Sequence, residues 1–478
     1  MNKYGKLINN SLIFALGSLG SKIILIILVP LYTFSLSSSD YGKVDLVTSV
    51  QALLLPFITL TTEQAILRYI IGGNNEDDRR VVFSSALLVT FVSLLVLLSI
   101  FFLVYIFGNF DIKNLIYFYI IIFFSALHIL FSTRLRAVGK NRQFAISGVL
   151  QVFSILILNL ILMFYYKLGI DGYFVSLILS YIISLTYCVI SDKSNIITLT
   201  FKDVNYKSIY TILAFSLPLI PNYSMWWFVN NSTRYFILSY VGLYANGLFA
   251  VASKLPSFIS LFIGVFQQAW QISAFEEHNS EERDKYYTEV FKAYYQFLFL
   301  IASILLFFDK IIFASFVSST YSTAWKIVPL LILGLLYQTF SSFLGTIYTS
   351  SYKTKSVLYT SFVGAAISIS ANYIIIPWGG ITYAGLGATL GFLVMWFLRL
   401  IGTSKIIAIK INHIEFITFN FVFLFQSFAL FYFDDRSFIF QGAVQFIAIF
   451  VNIILARSIV RSLFQFVIKA FNKYFRLI

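Results

Sequence analysis

The residues of this chain that could do chemistry are five charged side chains in apolar surroundings. They interrupt stretches built mainly of Leu, Ile, Val, Phe and small residues: Lys22, Glu63, Arg68, Arg234 and Lys254. A charge in a lipid bilayer costs about 3 kcal/mol or more, so it normally faces a cavity or a partner. Cations in such places bind phosphate, because they offset the loss of its hydration. Three or four cations against one carboxylate therefore favour an anionic substrate over a cationic drug.

In the first half of the chain, Lys22 lies near the middle of the first apolar stretch, a poor position from which to reach the membrane surface. Glu63 and Arg68 are five residues apart in the second stretch, which is about 140° around a helix, so they do not share a face. Glu63 needs another partner, and Lys22 is the candidate if the two helices pack antiparallel. Arg68 is near the edge of its stretch, where snorkelling is the alternative to a binding role.

In the second half, Lys254 belongs to the sequence Ser-Lys-Leu-Pro. Pro256 frees a backbone carbonyl one turn earlier, and interrupted helices mark binding regions in transporters. Lys254 is therefore a candidate binding residue. Arg234 follows the unusually polar stretch NYSMWWFVNNST. It either lines the external mouth of a cavity or is an ordinary loop arginine.

Other polar residues indicate structure rather than chemistry. His128, Asn159 and Asn372 are expected to form hydrogen bonds between helices. The single cysteine, Cys188, excludes an internal disulfide, and three scattered histidines give no support for zinc, so we expect no metal or other cofactor. The chain has no P-loop for ATP. It also lacks a large external loop with the paired carboxylates that a glycosyltransferase needs, so it is not expected to be an enzyme.

Composition indicates an all-α integral membrane protein. Of the 478 residues, 59% are hydrophobic and only 11% are charged, against about a quarter charged in a soluble domain. The apolar runs are continuous rather than alternating, which excludes a β-barrel. About 20 such residues cross the hydrocarbon core as a helix. We predict fourteen spans, at residues 7–35, 44–71, 81–108, 114–137, 144–166, 171–191, 208–232, 242–274, 289–308, 326–350, 356–377, 381–403, 413–433 and 437–457.

The basic residues indicate how these spans are oriented. An even number of spans puts both termini on one side, and the segments on that side hold 24 of the 34 Lys and Arg residues, against seven in the opposite loops. Because Lys and Arg accumulate in cytoplasmic loops, both termini are predicted to be cytoplasmic. The net charge of +14 then reflects topology, not nucleic acid. Residues 458–478 are predicted to form a basic amphipathic helix on the lipid surface.

The sequence also contains a weak internal repeat. Four residues are matched by the same residue type 213 positions later, namely Thr133, Lys140, Asn159 and Gly172 by Thr346, Lys353, Asn372 and Gly385. Transporters are often built from repeated halves. We therefore predict an N-lobe of spans one to six (1–191), a cytoplasmic linker (192–207), a C-lobe of spans seven to twelve (208–410), and two appended spans (411–457).

Several motifs resemble the polysaccharide-exporter branch of the multidrug/oligosaccharidyl-lipid/polysaccharide (MOP) flippase superfamily. The main one is YTILAFSLPLIPNYSMWWFVNNSTRYFILSYVGLYANGLFAVASKLPS (210–257), with its Ser-Leu-Pro-Leu-Ile-Pro, its arginine and its Lys-x-x-Pro-like turn. SSSDYGKVDLVTS (37–49), EQAILRY (63–69) and SSTYSTAWKIVPLLILG (318–334) are similar to other motifs of the family. The resemblance extends to about residue 410. One departure is Thr233, which stands where family members commonly have an acid before the arginine.

The resemblance implies a two-lobed, MATE-like fold and a flippase that works by alternating access. The implied substrate is an undecaprenyl-pyrophosphate-linked oligosaccharide for capsule, exopolysaccharide, O-antigen or teichoic acid synthesis. A coupling ion, either H⁺ or Na⁺, and other polysaccharide-assembly proteins are possible partners. Two alternatives stay open: a cation-coupled multidrug exporter with the same fold, and a membrane polysaccharide polymerase.

Overall fold

The structure is a computed structural model that describes residues 24, 28–71, 76–108, 111–192, 204, 206–276, 281–351, 353–433 and 438–457. Within these ranges the chain contains helices and turns but no β-strand. Lys22 and the predicted amphipathic helix at 458–478 lie outside the described residues. The helices follow the apolar runs, since lipid requires each segment to satisfy its own backbone hydrogen bonds.

The described part of the chain contains seventeen α-helices, numbered in chain order, and short 3₁₀ segments at 217–219, 319–327 and 380–383 join some of them. The first, α1, covers residues 28–35. The others are α2 Ser38–Thr59, α3 Thr62–Ile71, α4 Glu76–Phe107, α5 Ile112–Ala137, α6 Asn141–Asn159, α7 Gly169–Ser191, α8 Tyr206–Ser216, α9 Ile220–Tyr240, α10 Leu243–Ala252, α11 Ser257–Glu276, α12 Arg283–Phe316, α13 Val328–Ser350, α14 Thr354–Gly379, α15 Leu386–Thr403, α16 His413–Tyr432 and α17 Phe438–Leu455.

The helices agree closely with the predicted spans. Within the described ranges, eleven helical segments are long and apolar enough to cross a membrane, with α8 and α9 counted as one, and the bent pair α10–α11 makes a twelfth. The shorter apolar stretch Gln441–Leu455 of α17 corresponds to the last predicted span. The first predicted span, 7–35, falls mostly outside the described residues. The multi-span helical fold is therefore confirmed, while the count of fourteen stays a prediction.

Two spans differ from their prediction, one by a break in the helix and the other by its end. Residues 44–71 were expected to be one helix, but the chain breaks between α2 and α3, where Leu60 and Thr61 have left-handed backbone angles (φ 49° and 51°). The seventh span was expected to end at 232, but α9 continues to Tyr240. It ends there because the chain turns at Gly242, whose φ of 105° suits glycine. Arg234 therefore lies in a helix, and the loop interpretation of Arg234 is wrong.

The chain divides into two compact units, 1–231 and 232–478. The division lies within α9. The predicted lobes and the linker at 192–207 stay a prediction. In the first unit, α3, α4 and α5 enclose an apolar core that includes Ile66, Phe83 and Leu130. In the second unit, aromatic rings fill the interior. Trp270 stacks on Phe343 with ring centroids 4.2 Å apart.

Both units contain the same arrangement of three helices. In the first unit α7 packs against α5 and α6, and in the second α15 packs against α13 and α14. The helix α14 begins 213 residues after α6. A hydroxyl bond also repeats at this spacing: Ser176 donates to the carbonyl of Gly172 (2.7 Å), and Thr389 donates to the carbonyl of Gly385 (2.9 Å). These equivalences support the internal repeat.

Candidate functional site

The helix break predicted at Pro256 is present. The chain bends by 45° between α10 and α11, and Lys254 lies half-buried in the four-residue break. The Lys254 carbonyl accepts a hydrogen bond from the hydroxyl of Ser257, and its N–H donates to the carbonyl of Val251 at 3.0 Å. The backbone at Lys254 thus forms turns instead of a continuous helix. The break places Lys254 where a span is interrupted, as binding residues of transporters often are.

Arg234 lies on the helix next to this break. Its guanidinium carbon is 5.3 Å from the ring centroid of Phe249 on α10, within the range of a cation–π interaction. The side chain is half-buried. Arg234 and Lys254 thus both lie against α10, one along its side and one at its end. The two cations predicted from the second half of the sequence belong to one neighbourhood of the second unit.

In the first unit, two further helix breaks meet. One is the left-handed turn at Leu60 and Thr61, and the other is the 3₁₀ segment 217–219, which separates α8 from α9. The buried hydroxyl of Thr61 donates to the carbonyl of Ser216 at 2.7 Å. Pro218 in the second break has no backbone N–H to continue the helix. Backbone groups that a regular helix would satisfy internally are therefore satisfied between the two broken spans.

Glu63 lies at this junction, in the first turn of α3. The positive end of the helix dipole there favours a carboxylate. The side chain is buried, and its Oε2 atom has no hydrogen-bond partner in the described part of the chain. Glu63 also lies close enough to Tyr223 on α9 to interact with it electrostatically. Its expected pairing with Lys22 falls outside the described residues and stays a prediction.

Arg68 lies on the same short helix as Glu63 but is exposed. Its guanidinium carbon is 4.6 Å from the ring centroid of Phe215 on α8. No ion pair joins Arg68 to Glu63 among the described residues, in agreement with their separation around the helix. Glu63 and Arg68 thus both lie in α3, next to the break between α2 and α3, but on different faces of the helix.

The expected structural roles of the polar residues are confirmed. The Nε2 atom of His128 lies 2.8 Å from the hydroxyl of Ser184 on α7. The amide of Asn159 donates to the hydroxyl of Tyr32 on α1 at 2.9 Å. In the second unit, the amide of Asn372 on α14 donates to Thr233 on α9 at 3.0 Å. These groups bridge helices, as polar side chains in membranes commonly do.

Two buried arginines were not predicted as interior residues. Arg134, 2% exposed, donates from Nε to Asp192 at 2.7 Å, and Lys140 pairs with the other oxygen of that carboxylate at 2.9 Å. Arg399, 1% exposed, lies in α15 and donates to three groups on α13 and α14 without a carboxylate. Counting basic residues by segment put both arginines among those of the cytoplasmic side. Sequence alone gave no signal that they point into the protein.

A third missed residue is Asp309 on α12, which is fully buried. The ninth span was predicted to end at residue 308, one residue before Asp309. In the structure the helix extends from Arg283 to Phe316 and includes Asp309. In the described ranges, no group of three His, Cys, Asp or Glu side chains is placed to hold a metal ion.

Solved structures with similar folds include transporters and a flippase. A MATE family multidrug resistance transporter of the MOP superfamily, inward-facing, superposes with a TM-score of 0.67 at 14% identity, over 82% of this chain and 94% of that one. The lipid II flippase MurJ, in an inward closed conformation, gives 0.66 at 16% identity, over 96% and 100%. A MOP superfamily transporter from Pyrococcus furiosus, described as having a binding pocket of reverse polarity, gives 0.58 at 15% identity, over 84% and 96%.

At these identities the superpositions show the fold alone, which is the expected MATE-like fold. None of the curated protein sequences matches the chain significantly. The profile of one protein family, described as polysaccharide biosynthesis protein, matches residues 7–271, more than half of the sequence. The chain is therefore a multi-span membrane protein that belongs to the polysaccharide biosynthesis protein family.

Proposed function

We propose that this protein is a flippase that moves undecaprenyl-pyrophosphate-linked oligosaccharides across the bacterial plasma membrane by alternating access. The observation that supports it most is the family match over residues 7–271, on a chain whose fold is that of MOP transporters. The transported oligosaccharide would be the repeat unit of a capsule, exopolysaccharide, O-antigen or teichoic acid. Both termini are proposed to be cytoplasmic, as the basic residues predict.

The cations at the broken spans are proposed to bind the pyrophosphate. Lys254 and Arg234 lie around the α10–α11 break, Arg68 stands beside the α2–α3 break, and Lys22 is placed near the middle of its span by sequence. A pyrophosphate leaving water must regain its lost hydrogen bonds, and ammonium and guanidinium groups supply them. Glu63 is proposed to balance Lys22 when no substrate is bound.

A deletion strain complemented with variants tests the proposal. Loss of the gene is expected to abolish the surface glycan and to leave its lipid-linked repeat unit on the cytoplasmic leaflet, measured by accessibility to an added glycosidase in inside-out vesicles. Lys22→Gln should lower export at normal protein level, and Lys22→Arg should lower it less, since arginine keeps the charge.

The two alternatives predict other results. A polymerase would change the chain length of the glycan while its repeat unit still reached the outer leaflet. A multidrug exporter would leave the glycan unchanged and alter sensitivity to cationic drugs. Either result would contradict the flippase proposal.

A further inference from the structure

The carboxylate of Asp309 is isolated in the interior of the second unit. The side chain is 0% exposed, and neither of its oxygen atoms has a hydrogen-bond partner among the described residues. It lies in α12, a helix of 34 residues whose apolar composition qualifies it to cross the membrane. Buried polar groups in proteins are nearly always hydrogen-bonded. A carboxylate with two unbonded oxygens in a span is therefore an exception that calls for a ligand.

The neighbouring residue, Lys310, is directed elsewhere. Its ammonium lies 3.3 Å from the side-chain oxygen of Gln441 on α17 and 4.2 Å from the ring centroid of Trp325. It forms no ion pair with Asp309, although it is near enough to interact with it electrostatically. The structure thus shows an acid and a base that are adjacent in sequence but have separate surroundings.

The other described ionisable groups near α12 form no hydrogen bond to Asp309 either. The helices that pack against α12 are α11, α13, α16, α17 and the 3₁₀ segment 319–327. Their described charged or titratable side chains form no hydrogen bond to Asp309; they are Tyr321, Lys326, Tyr337, Tyr348, His413, Glu415 and Tyr432. Among the described residues, the charge that interacts with Asp309 is that of Lys310.

We propose that Asp309 is a proton-binding site, and that its protonation and release accompany substrate translocation. The inference rests on the proposed function for its role in transport, but not for proton binding itself. A proton needs no ligand besides one carboxylate oxygen. A metal cation needs several oxygen ligands, and the described residues contain no cluster of acidic or histidine side chains that could supply them.

Lys310 gives the site a second state. With the proton bound, Asp309 is neutral and Lys310 can remain on Gln441 and Trp325, as in this structure. When the proton leaves to water, the carboxylate attracts the adjacent ammonium, because opposite charges interact strongly away from water. No bond other than O–H breaks in this step. The change of partner by Lys310 would alter the contact between α12 and α17.

The fold itself does not require an acid at this position. The helix α4 occupies the place of α12 in the first half of the repeat, and its ends precede those of α12 by 207 and 209 residues. Counted from the helix ends, Asp309 corresponds to residues 100–102, Ile-Phe-Phe, and at the spacing of 213 it corresponds to Val96. An apolar residue serves the equivalent helix, so the acid in α12 has a purpose other than folding.

Infrared spectroscopy of the purified full-length protein in lipid nanodiscs tests proton binding. Wild-type protein at neutral pH should show the carbonyl stretch of a protonated carboxylic acid, and Asp309→Asn should lack that component. Asp284→Asn is the matched control, because Asp284 lies in the same helix but is half exposed. The control should keep the wild-type band. An unchanged band in Asp309→Asn would overturn the proposal.

Export in the complemented deletion strain tests coupling. Asp309→Asn should lower surface glycan about tenfold at normal protein level, within the usual range of a coupling free energy. Asp309→Glu, which still binds a proton, should keep much of the activity, and Asp284→Asn should match wild type. Normal export by Asp309→Asn would refute the coupling. If deletion of the gene leaves the glycan unchanged, the proposed function fails, while the infrared result still decides whether Asp309 binds a proton.

Discussion

Arg399 allows a measurement of what a buried charge contributes to this fold. Its guanidinium donates to the carbonyl of Ser341 (2.8 Å) and to the hydroxyls of Thr360 and Ser361 (3.0 Å each). No carboxylate of the described residues pairs with it, so these three hydrogen bonds alone compensate the charge. We predict that Arg399→Lys destabilises the protein more than Arg399→Met does, although lysine keeps the charge.

The magnitudes follow from the geometry. The three acceptors surround the planar fork of the guanidinium, and a single ammonium cannot reach all of them. Losing two hydrogen bonds to a charged group, at about 1.5–3 kcal/mol each, gives a loss of about 3–6 kcal/mol for lysine. Methionine has a similar length and removes the charge, a change that is often neutral in buried sites. Thr360 still donates to the carbonyls of Ser356 or Val357, so methionine should cost under about 2 kcal/mol.

Unfolding of the variants in detergent micelles by denaturant, followed by circular dichroism, checks this order. Lys405→Met is the control, because Lys405 is exposed just beyond the end of α15, and it should lie within about 0.5 kcal/mol of wild type. The reasoning is refuted if the lysine variant is as stable as wild type, or if methionine is the less stable of the two. Either result would mean that the charge, and not the three-way hydrogen bonding, stabilises this position.

Three other predictions address charge and topology. Lys254→Gln should lower glycan export sharply while Lys254→Arg keeps most of it, and equal export by both at equal protein level would contradict a role for the charge. Asp192→Asn leaves Arg134 buried without its carboxylate, and the free energy of unfolding should fall by about 3–5 kcal/mol in the same assay. Combining Asp192→Leu with Arg134→Met should recover most of that loss. If it recovers none, the ion-pair explanation is refuted. A cysteine replacing Lys140 should escape an impermeant maleimide added to intact cells and one replacing Asp434 should react, whereas the reverse pattern would invert the predicted orientation.

The positions of the spans were predictable because one strong physical requirement determines them. A helix in lipid needs about 20 apolar residues, and the sequence shows such runs directly. The break at Pro256 was equally visible, since proline cannot complete the helical hydrogen bonds. The break at Leu60 and Thr61 was not, because neither residue type signals a left-handed backbone. It is stabilised by tertiary contacts such as the hydroxyl bond from Thr61 to Ser216.

The same limit applies to the interior charges. In the sequence, a basic residue near the end of a span that faces solvent cannot be distinguished from one that faces the protein interior. Arg134 is buried because Asp192, 58 residues away, accepts its hydrogen bond. Arg399 is buried because Ser341 and Ser361 lie on two neighbouring helices. Such partners become known only when the helices are packed, so counting Lys and Arg predicts orientation but not burial.

The internal repeat separates structural polar groups from functional candidates. Hydrogen bonds that occur in both halves, such as those of Ser176 and Thr389, are explained by the shared packing of the helices. The two buried arginines do not follow the repeat: the position 213 residues after Arg134 is Ile347, and the position 213 residues before Arg399 is Thr186. Because each half folds with an uncharged residue at the place of the other's arginine, these charges are not demanded by the common architecture. Each arginine then contributes something particular to its own half, either stability, which the unfolding assays measure, or transport, which would appear as lost export by a variant of wild-type stability.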